Sequence, residues 1–265
     1  MKKLLQIGLA ASFLMFAFAP SVFAQSSAQI EKELIAALKE VQKYGTYGGG
    51  HDEEKLSKAQ DVFAAKILKY TKIASTLSYK FTALADDMYI ATSEDGKFRI
   101  YSWDLEDGGT MHFFARVYQY LATDGKVHSE IEKPTEEGEA GGFAHDIFTL
   151  DTRDGKVYIV CSTFVGSSKD EFQSADLYKI EGEKLNDDVK LIKTKSGLTS
   201  TLGFGYDFFS VVDRKERPVK LISFDQKTKT LKIPVVIEDT ELSSGRVTKK
   251  FISYRFDGTY FVKVN

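Results

Sequence analysis

Asp95-Gly96-Lys97-Phe98-Arg99-Ile100-Tyr101-Ser102-Trp103 joins a tight-turn dipeptide to a run of aromatic and β-branched residues. Asp and Gly both tolerate the positive φ of a two-residue loop, and Asp-Gly between such runs is the strongest short-range hairpin signal. The same punctuation recurs at Asp107-Gly108, Asp124-Gly125, Asp154-Gly155 and Asp257-Gly258. Met88–Ser93, Met111–Leu121, Lys156–Phe164 and Val219–Phe224 are again rich in Val, Ile, Tyr and Phe. The pattern predicts a mainly β chain over residues 76–265. Its form would be an antiparallel body of many hairpins, either irregular and propeller-like or a large sandwich.

Three turns share one form: Asp95-Gly96-Lys97-Phe98, Asp124-Gly125-Lys126-Val127 and Asp154-Gly155-Lys156-Val157. Near-equal spacing would fit propeller blades. The flanking residues do not repeat, which favours reuse of one turn chemistry instead. Glu132–Gly142 is an acidic, glycine-rich break, either a divide between two β halves or a long loop. Pro234 cannot donate to a ladder, so its strand should be an edge or carry a bulge.

Upstream, over residues 25–75, the period is helical. Ser26 and Gln29 read as a capping box before the stripe Ile30, Leu34, Leu38 and Val41, and Gly45 ends it. Asp52 caps a second stripe of Leu56, Ala59, Phe63, Ile67 and Tyr70. Such narrow stripes predict a helical hairpin that packs on the β body. Residues 1–24 carry Lys2 and Lys3, an apolar run from Leu4 to Phe18, then Val22-Phe23-Ala24. That is the layout of a secretory signal peptide, with a mature chain expected from Gln25 and a periplasmic or secreted location.

Residues 25–265 are enough for one large β domain or two small ones. With 43% hydrophobic and 13% aromatic residues the chain can build a packed core. A net charge of −2 offers no concentrated basic face for nucleic acid. After the signal no apolar run reaches membrane-spanning length. Cys161 is the only cysteine, so no internal disulfide forms, and its apolar strand setting predicts an inert core thiol.

Chemical signatures are sparse. There is no Gly-x-Ser-x-Gly elbow, His-Glu-x-x-His, Cys-x-x-Cys or phosphate loop. Hence no catalytic residue, no metal ligand and no cofactor is assigned. His51, His112, His128 and His145 do not pair at metal-site spacing. Asp104-Leu105-Glu106-Asp107-Gly108 imitates part of a calcium loop but lacks the downstream carboxylate, so a solvated hairpin turn is expected.

The most pointed constellation is a strand face. Arg99, Tyr101 and Trp103 alternate with Phe98 and Ile100; His112, Phe114, Arg116, Tyr118 and Tyr120 alternate with Met111, Phe113, Ala115 and Val117. A tight turn at Asp107-Gly108 would align the two aromatic-cationic rows. Arg99, Tyr101, Trp103, His112, Phe114, Arg116 and Tyr118 then become candidate ligand-binding residues, suited to stacking on a sugar or gripping a carboxylate. The competing expectation is that a second layer, or the helical hairpin, covers those rings.

Phe98–Asp104, Gly108–Phe114, Leu191–Thr194 and Tyr254–Phe261 resemble a pattern in uncharacterised exported proteins of Gram-negative bacteria. The resemblance implies a periplasmic or secreted bacterial protein and brings no known activity. The function expected is therefore an exported binding protein of the envelope, with an unknown envelope ligand or protein as partner. One alternative is an envelope hydrolase using loop carboxylates such as Asp104, Glu106, Asp146 and Asp207. Another is a structural, partner-docking protein.

Overall fold

Helix α1 (Ser27–Tyr44) opens the residues described by the computed structural model, which are 25–47, 50–133 and 140–264. The expected signal segment, 1–24, lies outside them. Ser26 Oγ accepts the amide of Gln29 at 3.2 Å, but the Gln29 side chain turns to Glu33 rather than back to the cap. Ile30, Leu34, Leu38 and Val41 are buried, as their spacing predicts. Helix α2 (Glu53–Tyr70) starts at Asp52, whose carboxylate accepts the amide of Lys55 at 3.1 Å. It buries Leu56, Phe63, Ile67 and Tyr70. A one-turn helix, α3 (Ala74–Ser78), has too short a pattern to be foreseen.

The first sheet is a meander of β1 (Tyr89–Thr92), β2 (Phe98–Asp104), β3 (Phe114–Leu121) and β4 (Val127–Glu132). The acidic break then carries the chain to a second sheet, its residues 134–139 lying outside those described. That sheet contains β5 (Phe143–Thr152), β6 (Gly155–Val165) and β7 (Asp170–Glu181), with short β8 (Lys184–Asn186) pairing β7. Hairpin β9 (Ile192–Thr194) and β10 (Gly197–Thr199) belongs to a third sheet. Strand β11 (Thr201–Asp207) returns to the second sheet beside β7. Strands β12 (Ser223–Asp225), β13 (Thr230–Ile237), β14 (Arg246–Phe256) and β15 (Phe261–Val264) complete the third. Pairing among the described strands is antiparallel except between β15 and β9.

Helices and sheets pack as successive layers, a sandwich-like arrangement. Strand β6 shows why. Tyr158 and Val160 join a core with Phe98, Ile100, Tyr118 and Tyr120 of the first sheet. The alternate residues Val157, Ile159 and Cys161 join a core with Ile192, Phe224, Leu231 and Phe261 of the third. A sheet covered on both faces needs apolar residues at every position, which explains the unbroken Val157–Cys161 run. Each such fully buried aliphatic or aromatic side chain contributes about 1.5–3 kcal/mol. Cys161 has no exposed surface, and burial pushes its thiol well above the ordinary range, which disfavours the reactive thiolate.

The turn signals hold at Asp95-Gly96, Asp124-Gly125 and Asp154-Gly155, where glycine φ is +67°, +80° and +111°. They link β1–β2, β3–β4 and β5–β6, so each strand pair brings the chain back to one end. That return explains the near-equal spacing. Pro234 sits at a register irregularity in β13, beyond the short stretch that pairs with β12, so the bulge reading applies.

Candidate functional site

The aromatic-cationic face is not open. Trp103 is 1% and Tyr101 0% exposed, and both pack with Ala115 and Val117 against the buried stripes of α1 and α2. Arg99 is 5% exposed; its Nη1 donates to the carbonyls of Thr76 and Tyr79 at 2.9 and 2.6 Å, and its Nε to Thr92 Oγ1 at 2.7 Å. These contacts tie the segment after α2 to the sheet.

Nor do the two rows align. The Asp107-Gly108 pair does not make a tight hairpin; residues 105–113 form a longer connection, and β3 begins at Phe114. Trp103 therefore faces Ala115, and Tyr101 faces Val117. A two-residue turn at 107–108 would have set Trp103 opposite His112. The displacement is odd, and an odd slip exchanges the faces of a strand. Phe114, Arg116 and Tyr118 consequently point away from the helices. Arg116 donates through Nε to Gly142 O at 2.6 Å, and Tyr118 donates to Glu132. Both are buried, so neither forms part of a free surface.

His112 is the half-buried exception, and the connection around it is a built structure. Its Nδ1 lies 2.5 Å from Asp104 Oδ2, and Tyr47 stacks on the ring at 4.7 Å. Tyr47 Oη donates to Gly109 O at 2.8 Å, the amide of Thr46 to Glu106 O at 2.7 Å, and Gln60 Nε2 to Leu105 O at 2.5 Å. A Cβ at Gly45 would fall inside the Glu106 side chain, so glycine is required there for room rather than for φ. No group of three or more His, Cys, Asp or Glu suited to a metal occurs among the described residues. Asp104 spends its oxygens on His112 and the Glu106 amide.

Burial, with the Asp104 charge alongside, pushes the Glu106 carboxyl up to about 7. The folded chain thus holds this proton at pH values where an unfolded glutamate, near 4.5, has shed it. The resulting stabilisation is complete below the unfolded value and is lost as pH rises through the folded one. The urea midpoint is expected to fall between pH 5 and pH 8, and Glu106→Gln should reduce that fall. An unchanged pH profile in the variant would count against it.

A cavity of about 300 Å³ opens where edge strand β1 meets edge strand β5 and the segment 208–219. Tyr89 and Phe143 stack at its wall, 3.8 Å apart and 11° from parallel. Phe114 meets both rings edge-on, at 6.3 and 5.2 Å. Val165, Phe208, Pro218 and Val219 add apolar lining, and Thr163, Glu171 and Arg217 add polar groups. Thr163 is 3% exposed and its Oγ1 has no hydrogen-bond partner among the described residues. Burial pushes the Glu171 carboxyl up, while the hydrogen bond from Tyr206 and the Arg217 charge oppose that. Burial, then Asp104 and Glu171, push up the Tyr89 phenol.

Of the candidate residues only Phe114 touches the rings of this cavity; Arg99, Tyr101 and Trp103 serve the helix-facing core. Asp104 and Glu106 lie together, whereas Asp146 pairs with Lys220 at 2.8 Å and Asp207 caps the turn at Phe209. Sequence reading missed Tyr89, Thr163, Glu171 and Arg217 because they come from four separate stretches. Comparison with known protein families, with curated proteins and with solved structures finds no match.

Proposed function

We propose that this chain is an exported binding protein of the bacterial envelope that takes a small amphipathic molecule into the cavity between β1, β5 and the 208–219 segment. The observation that carries this reading is the cavity itself, about 300 Å³, with the stacked Tyr89 and Phe143 rings on its wall and the polar groups of Glu171 and Arg217 on its lining. The volume stands at the lower end of ligand pockets, about 300–1,000 Å³, so the ligand is small. The signal-peptide-like sequence over residues 1–24 and the resemblance to exported Gram-negative proteins support the location.

Ligand-observed NMR against a library of small aromatic acids, amines and sugars tests the reading. Binding should vanish in Val165→Trp, which fills the cavity, and persist in Val62→Trp, a change at a helix position 52% exposed. Binding undiminished by Val165→Trp, or no ligand at all, would defeat it.

A further inference from the structure

Glu171 and Arg217 line the same cavity but do not touch. The Arg217 charge opposes the upward push on the Glu171 carboxyl, yet no ion pair joins them among the described residues. Both groups are held in place by other contacts. Tyr206, itself fully buried, donates its hydroxyl to Glu171 Oε2. That leaves Oε1 without a partner among the described residues. Arg217 Nη1 donates to the carbonyls of Arg214 and Glu216, both at 2.7 Å, and Nη2 donates to Val212 O at 3.2 Å. A guanidinium has five N–H donors. Its Nε–H and one Nη2–H therefore remain, on neighbouring nitrogens that suit a carboxylate. Its plane lies over the Phe208 ring, 5.5 Å from the centroid, which restricts it further.

Resting on the binding reading above, we infer that the ligand is a small zwitterion, a free α-amino acid with an aromatic or branched apolar side chain. Its carboxylate would meet Arg217, its ammonium Glu171, and its side chain the apolar wall of Phe143, Val165 and Val219. Two opposite charges on the lining of one small, partly apolar cavity are matched by a ligand that carries an ammonium and a carboxylate on the same carbon. A neutral aromatic would leave both protein charges unanswered, and a purely anionic or cationic ligand would leave one. Preorganisation favours this arrangement, because the buried Tyr206 hydroxyl already holds Glu171, and the exposed Arg217 is steadied by three backbone carbonyls.

The test is calorimetric titration of the chain from Gln25 with four probes. These are L-phenylalanine, N-acetyl-L-phenylalanine, L-phenylalaninamide and N-acetyl-L-phenylalaninamide. L-Phenylalanine should bind at least tenfold more tightly than either singly blocked form, and the doubly blocked form should bind weakest. Arg217→Gln should erase the difference between phenylalanine and its amide. Glu171→Gln, which keeps an acceptor for Tyr206, should erase the difference between phenylalanine and its N-acetyl form. Both variants should retain the wild-type circular dichroism spectrum. Equal affinity for all four probes would overturn the zwitterion while leaving the cavity as a binding site. If none of the four bound, while library ligands bound the wild type and were lost in Val165→Trp, the zwitterion would be overturned in the same way.

Discussion

Trp103→Ala is expected to cost about 3–5 kcal/mol of folding stability, the range for deleting a fully buried Trp or Phe side chain. The ring is 1% exposed and meets Phe63 of α2 edge-on, with centroids 5.1 Å apart and planes 77° apart. It is the largest fully buried side chain of the layer between the helices and the first sheet. Its loss opens a cavity against Phe63 and also forfeits the aromatic pair, a term of about 0.5–1.5 kcal/mol. Trp103→Phe should be far milder. The indole N–H has no hydrogen-bond partner among the described residues, so the replacement sacrifices volume but no hydrogen bond. Urea denaturation of both variants, followed by tryptophan-independent far-UV circular dichroism, measures the difference. A Trp103→Ala midpoint close to wild type would mean that the helices do not cover this face. Ligand binding in the cavity should survive in the folded fraction, since Trp103 does not line it.

The contrast between Trp103 and Glu171 shows what a single sequence exposes and what it hides. Period-two alternation and four of the five Asp-Gly pairs announce the strands, because pleat and turn chemistry act within a few residues. The stripes on α1 and α2 announce a buried helical face for the same reason. What covers the Trp103 row depends on the parity of the connection over 105–113, and one misplaced turn exchanges the faces of β3. The cavity depends on more still. Tyr89 and Phe143 come together only because β1 and β5 are edge strands of different sheets, and Arg217 arrives from the segment that leads into the third sheet. No local spacing encodes that meeting. His112 lies between these cases: Asp104 is near in sequence and was legible as a turn acid, whereas the stacking of Tyr47 was not.

Arg99 carries the second large effect. Its guanidinium is buried, and it satisfies the carbonyls of Thr76 and Tyr79 together with Thr92 Oγ1. Thr76 and Tyr79 lie in and after α3, so one side chain fastens the chain between the helices and β1. Arg99→Leu keeps apolar volume but leaves two carbonyls short of a donor in a dry layer. Each hydrogen bond to a charged group contributes about 1.5–3 kcal/mol, and an unsatisfied buried acceptor costs about 1–3 kcal/mol. Removal of the buried charge offsets part of this, because its desolvation cost disappears with it. A net loss of about 2–4 kcal/mol is expected, in the class of broken buried networks. Arg99→Lys should not restore wild-type stability, because one ammonium cannot reproduce the planar fork that reaches Thr92 and the two carbonyls at once. Hydrogen exchange adds the spatial readout: amides of 74–84 should exchange faster in Arg99→Leu, while those of β6 and β7 keep their protection relative to global stability. Uniform loss of protection across all layers would show instead that Arg99 acts on the whole fold rather than on the fastening of the helical layer.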